Sequence, residues 1–260
     1  PEVCRRVRSP QHGTGSIERR RSCLHPPAGA RHTTVPADPD QQTLDIRRFN
    51  KWARRIRRTG HLLRKISYHP EELGDDVPSR VVMVANHRSL SDVFVAVEAL
   101  AYYDLPARCL VRAKYFEAPG AGKFLRTIGC IPAGDGKRES VEIAKETLEA
   151  NRPVAVMIEG KIVPEERREA DGMGEIRPGF VEIARAGKAD ILPIALINTE
   201  AIWTSRGKIP RFPWRGRAKV EVHTGTVVKV DGRTDDEVIA ETRAVIAGYL
   251  ATAEAAATDR

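Results

Sequence analysis

The spacing of apolar positions changes along the chain, and the changes divide it. From residue 1 to about 43 no apolar period survives, prolines and glycines recur as in HPPAGARHTTVPADPD, and the segment reads as a disordered tail. From 44 to about 70 the pattern turns helical: Ile46, Phe49, Trp52, Ala53, Ile56, Leu63 and Ile66 recur at helical spacing in LDIRRFNKWARRIRRTGHLLRKISYH. Beyond 71, apolar runs at 80–85, 108–112, 153–158, 190–197 and 218–230 read as strands. Amphipathic stretches at 91–103, 119–127, 138–150, 178–187 and 234–256 read as helices between and after them. This alternation predicts an α/β layer fold, a mostly parallel sheet flanked by helices with an amphipathic helix in front. The stretch RAKVEVHTGTVVKV alternates, which predicts an antiparallel edge strand or a hairpin.

Composition adds a size and a partner class. With 260 residues and 41% hydrophobic content the chain can bury one sizeable core, which assigns 71–260 to one catalytic domain. Lys and Arg number 43 against 35 Asp and Glu, a net charge of +8. Such an excess favours a polyanion, either nucleic acid or an anionic membrane surface. The charge is concentrated: nine Lys and Arg lie between Arg47 and Lys65, and the segment has no acid after Asp45. That concentration, without an RNP, zinc-finger or helix-turn-helix signature, argues against a nucleic-acid-binding protein. It predicts an interfacial helix over 44–70, with Phe49, Trp52, Ile56 and Leu63 in the acyl boundary and the basic residues at the headgroups. A helix packed on its own domain with a solvated basic face is the other reading. No stretch reaches the roughly 18 apolar residues of a membrane-spanning helix, so the expected attachment is peripheral, on the cytoplasmic face of the cell membrane. The four cysteines, Cys4, Cys23, Cys109 and Cys130, fit no zinc spacing and suggest a reduced protein.

The candidate chemistry lies in VVMVANHRSLSDVFVAVEAL, where a buried strand gives way to a helix. His87 stands at the strand's carboxyl end, where open α/β sheets gather their functional groups. Asp92, one turn into the next element, can reach back to it. A carboxylate that accepts the imidazole Nδ1–H fixes the tautomer and leaves Nε2 as a base. Ser89 and Asp92 also spell an S-x-x-D capping box, in which Asp92 simply satisfies backbone N–H groups at the helix start. No G-x-S-x-G elbow supplies a protein nucleophile, so a base here activates a hydroxyl carried by the substrate.

NHRSLSD resembles the NHxxxxD block of the glycerolipid acyltransferases, the lysophosphatidic acid acyltransferase family. Three further stretches follow in that family's order: RAKYFEAPGAGKFLRTIGCIP (112–132), AVMIEGKIV (155–163) and RPGFVEIARAGKADILPIAL (177–196). The resemblance implies transfer of an acyl group from acyl-CoA or acyl-carrier protein, as co-substrate, to a lysophospholipid hydroxyl, most naturally that of 1-acylglycerol 3-phosphate. It implies His87 as general base, Asp92 as its orienting partner, and Glu159, Gly160 and Lys161 at the acceptor. It implies neither metal nor cofactor.

Two positions depart from the family pattern. Asp135 stands about where the second block carries an arginine, and Lys161 and Ile162 stand where the third carries Thr-Arg. An ammonium does not replace a bidentate guanidinium on phosphate without loss. Lys161, Lys137, Arg138, Arg167, Arg168 and Arg177 are the cations placed to compensate; otherwise the acceptor is another hydroxyl-bearing lipid or glycolipid.

Overall fold

The computed structural model describes residues 39–70, 77–78, 80–134, 137–204, 207, 209–211 and 216–258. The expected tail lies outside them up to residue 38, and the chain is already helical from Pro39. A seven-stranded sheet forms the centre. Its strands are β1 (Arg64–His69), β2 (Val81–Ala85), β3 (Arg108–Arg112), β4 (Ile131–Ala133), β5 (Val154–Met157), β6 (Asp190–Ile197) and β7 (Ala218–Thr224), in the order β1-β7-β6-β2-β5-β3-β4. All neighbours pair in parallel except β6 and β7.

Helices cover both faces. On one lie α1 (Pro39–Gly60), α2 (Asp92–Tyr102), the short α3 (Lys114–Glu117) and α4 (Ala121–Thr127), and on the other α5 (Lys137–Glu149), α6 (Gly179–Ala186) and α7 (Asp235–Thr258). The period of two along β2 sorts its side chains between these layers. Met83 joins the core under α2, Val82 and Val84 the core under α5 and α6, and all five β2 residues are buried.

Three expectations need correction. The helix expected to run on to 70 ends at Gly60, and Arg64–His69 is a strand beside β7. A Cβ at Gly60 would lie 2.0 Å from Arg64 Nη1, so a side chain there would displace the Arg64 guanidinium. Arg64 turns inward and pairs with buried Glu98 at 2.6 Å, while Tyr68, four residues on and so on the same side of the strand, donates to the same carboxylate at 3.3 Å. Burial and then the Glu98 charge push the Tyr68 phenol well above its ordinary pKa.

The apolar face of α1 is the second correction. Phe49, Ala53 and Ile56 are buried in the protein's own core, and Trp52 meets Phe124 edge-on at 5.2 Å. These side chains hold the helix to the domain, and the buried Phe49 and Ile56 are not available to a bilayer, while Trp52 is half-buried. Finally, the alternating stretch from 218 is neither edge nor hairpin. β7 runs antiparallel to β6 and is itself covered by β1. The chain then continues along β6 to a bridge between Val228 and Ile191. Three residues, 225–227, oppose two, 192–193, which makes a bulge.

Candidate active site

β2 ends at Ala85, and the next residue interrupts the ladder. Asn86 is fully buried; its side-chain oxygen accepts from Leu196 N–H at 2.8 Å and its Nδ2 donates to the Leu196 carbonyl at 2.9 Å. The amide thus takes the place of a backbone pair and ends the strand against β6 at a set point.

The turn that follows wraps around one carboxylate oxygen. Asp92 Oδ2 lies 2.8 Å from His87 Nδ1 and accepts the backbone N–H groups of Arg88 at 2.7 Å and Ser89 at 2.8 Å. Both readings of Asp92 therefore hold at once: it caps the turn and orients the imidazole. It is fully buried as the first residue of α2, where the helix dipole favours its charge. With Nδ1–H donated to Asp92, Nε2 is the nitrogen left to take a proton, and the His87 side chain keeps 16% of its surface exposed. Ser91 Oγ donates to the Thr199 carbonyl at 2.9 Å and Ser89 Oγ to that of Trp203, which ties the turn to the segment after β6.

Glu159 lies just beyond β5, the neighbour of β2, and only 1% of it is exposed. One carboxylate oxygen accepts the backbone N–H of His87 and the other that of Gly174 at 2.9 Å. Burial raises its pKa despite those two donors. The structure therefore places Glu159 beneath the site, clamping the histidine turn to the 174 loop. Val163 N–H adds a bond to the His87 carbonyl at 2.9 Å.

Gly160 and Lys161, by contrast, are exposed. Gly160 has φ +63°, and a Cβ on it would lie 3.4 Å from Arg177 Cγ. Its carbonyl accepts from Arg112 Nε at 3.0 Å. Arg112 ends β3, adjacent to β5, so the carboxyl ends of three neighbouring strands carry His87, Glu159 and Arg112 in turn. Sequence reasoning missed Arg112 as a site residue; its position as the last residue of a strand was the available signal. Arg112, Lys161 and Arg177 are exposed cations around Gly160, Arg177 also standing 3.3 Å from Glu175. Arg168 belongs elsewhere: its guanidinium donates to the Val163 carbonyl at 3.0 Å and pairs with Glu200. Arg138 is exposed on α5 and Arg167 on a short turn, while Asp135 and the side chain of Lys137 lie outside the described residues.

An apolar cavity of about 40 Å³ lies between α2 and the sheet. Ala85, Ala96, Ala155, Met157 and Leu196 are among its lining residues. Ala85 is two residues before His87 and Met157 two before Glu159, so the cavity reaches the strand ends that carry the site.

The family model described as Acyltransferase matches residues 65–197, half of the chain, and spans every element of this site. The chain belongs to the Acyltransferase family. Among solved structures it is similar to the 1-acyl-sn-glycerophosphate (LPA) acyltransferase PlsC from Thermotoga maritima, with a TM-score of 0.66 over 84% of each chain. At 15% identity that likeness is one of fold. No curated protein matches the chain. This acyltransferase thus carries the expected mostly parallel α/β fold, with His87 and Asp92 brought together at the end of its central strand.

Proposed function

We propose that this acyltransferase moves a fatty acyl group from a thioester, acyl-CoA or acyl-carrier protein, to the hydroxyl of a lysophospholipid, 1-acylglycerol 3-phosphate in the first instance. The observation that carries the reading is the 2.8 Å contact of His87 Nδ1 with buried Asp92. His87 Nε2 takes the proton of the acceptor hydroxyl as its oxygen attacks the thioester carbonyl. The tetrahedral intermediate collapses to the ester and expels the thiolate, which takes the proton back from the imidazolium that Asp92 stabilised. Arg112, Lys161 and Arg177 fit the acceptor phosphate, and the apolar lining of the small cavity beneath α2 suits a fatty chain only once the cavity widens. The enzyme works in phospholipid biosynthesis, bound peripherally to the cytoplasmic face of an anionic membrane through the exposed basic residues of α1. Among the described residues no helix is long and apolar enough to cross a membrane.

One observation favours a second acceptor class. Lys161 and Ile162 follow Gly160 where the family resemblance calls for Thr-Arg, which suits another hydroxyl-bearing lipid or a glycolipid whose charge lies elsewhere. An acyl-transfer assay with purified protein, both donor types and a panel of acceptors with and without phosphate tests the proposal. Turnover fastest with 1-acylglycerol 3-phosphate is expected. Preference for an uncharged acceptor selects the second reading, and no transfer to any lipid hydroxyl overturns both.

A further inference from the structure

Two histidines and a glutamate that the acyl transfer leaves unused meet on the other face of the sheet, beside α7. His69 ends β1 and stands in register with His223 of β7. Their rings stack with centroids 4.2 Å apart and planes 4° from parallel. Glu221, two residues before His223 and so on the same side of β7, brings Oε2 within 3.3 Å of His223 Nε2. One donor atom from each of the three residues lies within 4.8 Å of the other two. Tyr249 of α7 also stacks on the His223 ring, with centroids 4.9 Å apart.

We propose that His69, Glu221 and His223 form a binding site for a divalent transition metal, with zinc the best fit. Two imidazoles and one carboxylate are borderline donors that suit zinc and are poor ligands for magnesium or calcium, which take oxygen. Zinc binds imidazole nitrogen and carboxylate oxygen at about 2.0–2.2 Å, so tetrahedral ligand atoms sit roughly 3.3 Å apart. Closing the present spread to that distance requires the stacked imidazoles and the Glu221 side chain to rotate toward a common centre. Strand pairing holds the backbones of all three ligands in place before the metal arrives. Water completes the coordination on the exposed side. A metal here clips β1, the outermost strand and the direct continuation of α1, to β7. Because the unfolded chain does not hold these residues together, the metal binds the folded state preferentially and raises its stability.

Zinc titration of the full chain, with any affinity tag removed, tests this by calorimetry and thermal unfolding; cobalt reports the ligand set through its visible d–d absorption. We expect one zinc per chain, a rise in Tm of several degrees at saturation, and cobalt bands without a thiolate charge-transfer feature. His223→Ala and Glu221→Gln should each weaken binding at least tenfold. Glu221→Gln keeps the size and polarity of a half-exposed side chain, so it decides the matter even if His223→Ala fails to fold. A variant with all four cysteines changed to serine, and the His87→Ala variant, should bind zinc as the wild type does. No stoichiometric zinc, binding undiminished in Glu221→Gln, or binding that disappears with the cysteines or with His87 overturns the assignment.

Discussion

Asp92 Oδ2 stands 2.8 Å from His87 Nδ1 while it also accepts two backbone N–H groups of the turn between them. One oxygen thereby sets both the fold of the turn and the tautomer of the imidazole. Removing the imidazole deletes the proposed base and leaves the turn, because His87 is the partly exposed end of this arrangement. His87→Ala should lower turnover by roughly 10²–10⁴-fold with little change in Tm. Asp92→Asn should lose comparable activity and also stability, since it loses the charge that three donors share. Near wild-type turnover in His87→Ala would remove the catalytic assignment.

Glu159 predicts an unusual pH dependence. Its folded pKa is raised by burial above the ordinary value of about 4.3. A carboxylate shifted upward contributes most to stability below its unfolded pKa, and that contribution is lost as pH rises through the raised folded value. The stability advantage of the wild type over Glu159→Gln should therefore shrink between the ordinary carboxylate range and the raised pKa. Urea unfolding midpoints of both proteins across that range measure it; an advantage that grows with pH refutes the sign. At neutral pH Glu159→Gln should also lower kcat, since one of the backbone N–H groups of His87 and Gly174 loses its charged acceptor.

The cationic rim makes a prediction about KM. Charge-assisted hydrogen bonds contribute about 1.5–3 kcal/mol, so Lys161→Ala or Arg177→Ala should raise KM for 1-acylglycerol 3-phosphate roughly tenfold or more while kcat holds. Steady-state kinetics on purified variants measures it. An unchanged KM in both sinks the phosphate role of this rim.

Phe49 tests where α1 belongs. It is fully buried in the core, so Phe49→Ala should destabilise the protein by about 3–5 kcal/mol in urea unfolding without lipid. A change under 1 kcal/mol would mean that the helix is not packed on the domain in solution.

The opposite face of α1 carries the membrane proposal. Lys51, Arg54 and Arg58 are exposed, and each basic residue near an anionic surface contributes about 1 kcal/mol. Changing all three to alanine should weaken co-sedimentation with phosphatidylserine vesicles by roughly 10²-fold. Added salt should weaken the wild type in the same direction, because exposed charges are screened. Equal sedimentation of wild type and triple variant would remove α1 as the contact.

The residues that proved legible were those whose role is local in the chain. Buried strands announce themselves by composition, and 80–85, 108–112 and 190–197 fall within a residue of β2, β3 and β6. His87 and Asp92 were readable because five residues and one turn separate them. β1 was not, because Leu63 and Ile66 continue the apolar spacing of α1 by coincidence and only β7, about 150 residues away, makes Arg64–His69 a strand. β4 is three residues long and has no period of its own.

The sequence by itself determined the alternation of strands and helices, the nearness of His87 to Asp92, and the concentration of positive charge on one helix. Each depends on residues within a few turns of one another. Tertiary structure alone decided that the apolar face of α1 is spent on its own core, since an amphipathic period does not say what covers it. It also decided that Glu159 holds the backbone of His87 from 72 residues away, and that Asn86 ends β2 on Leu196, 110 residues on. Which donors satisfy a buried carboxylate or amide depends on which strands become neighbours, and that is settled by burial of the whole sheet.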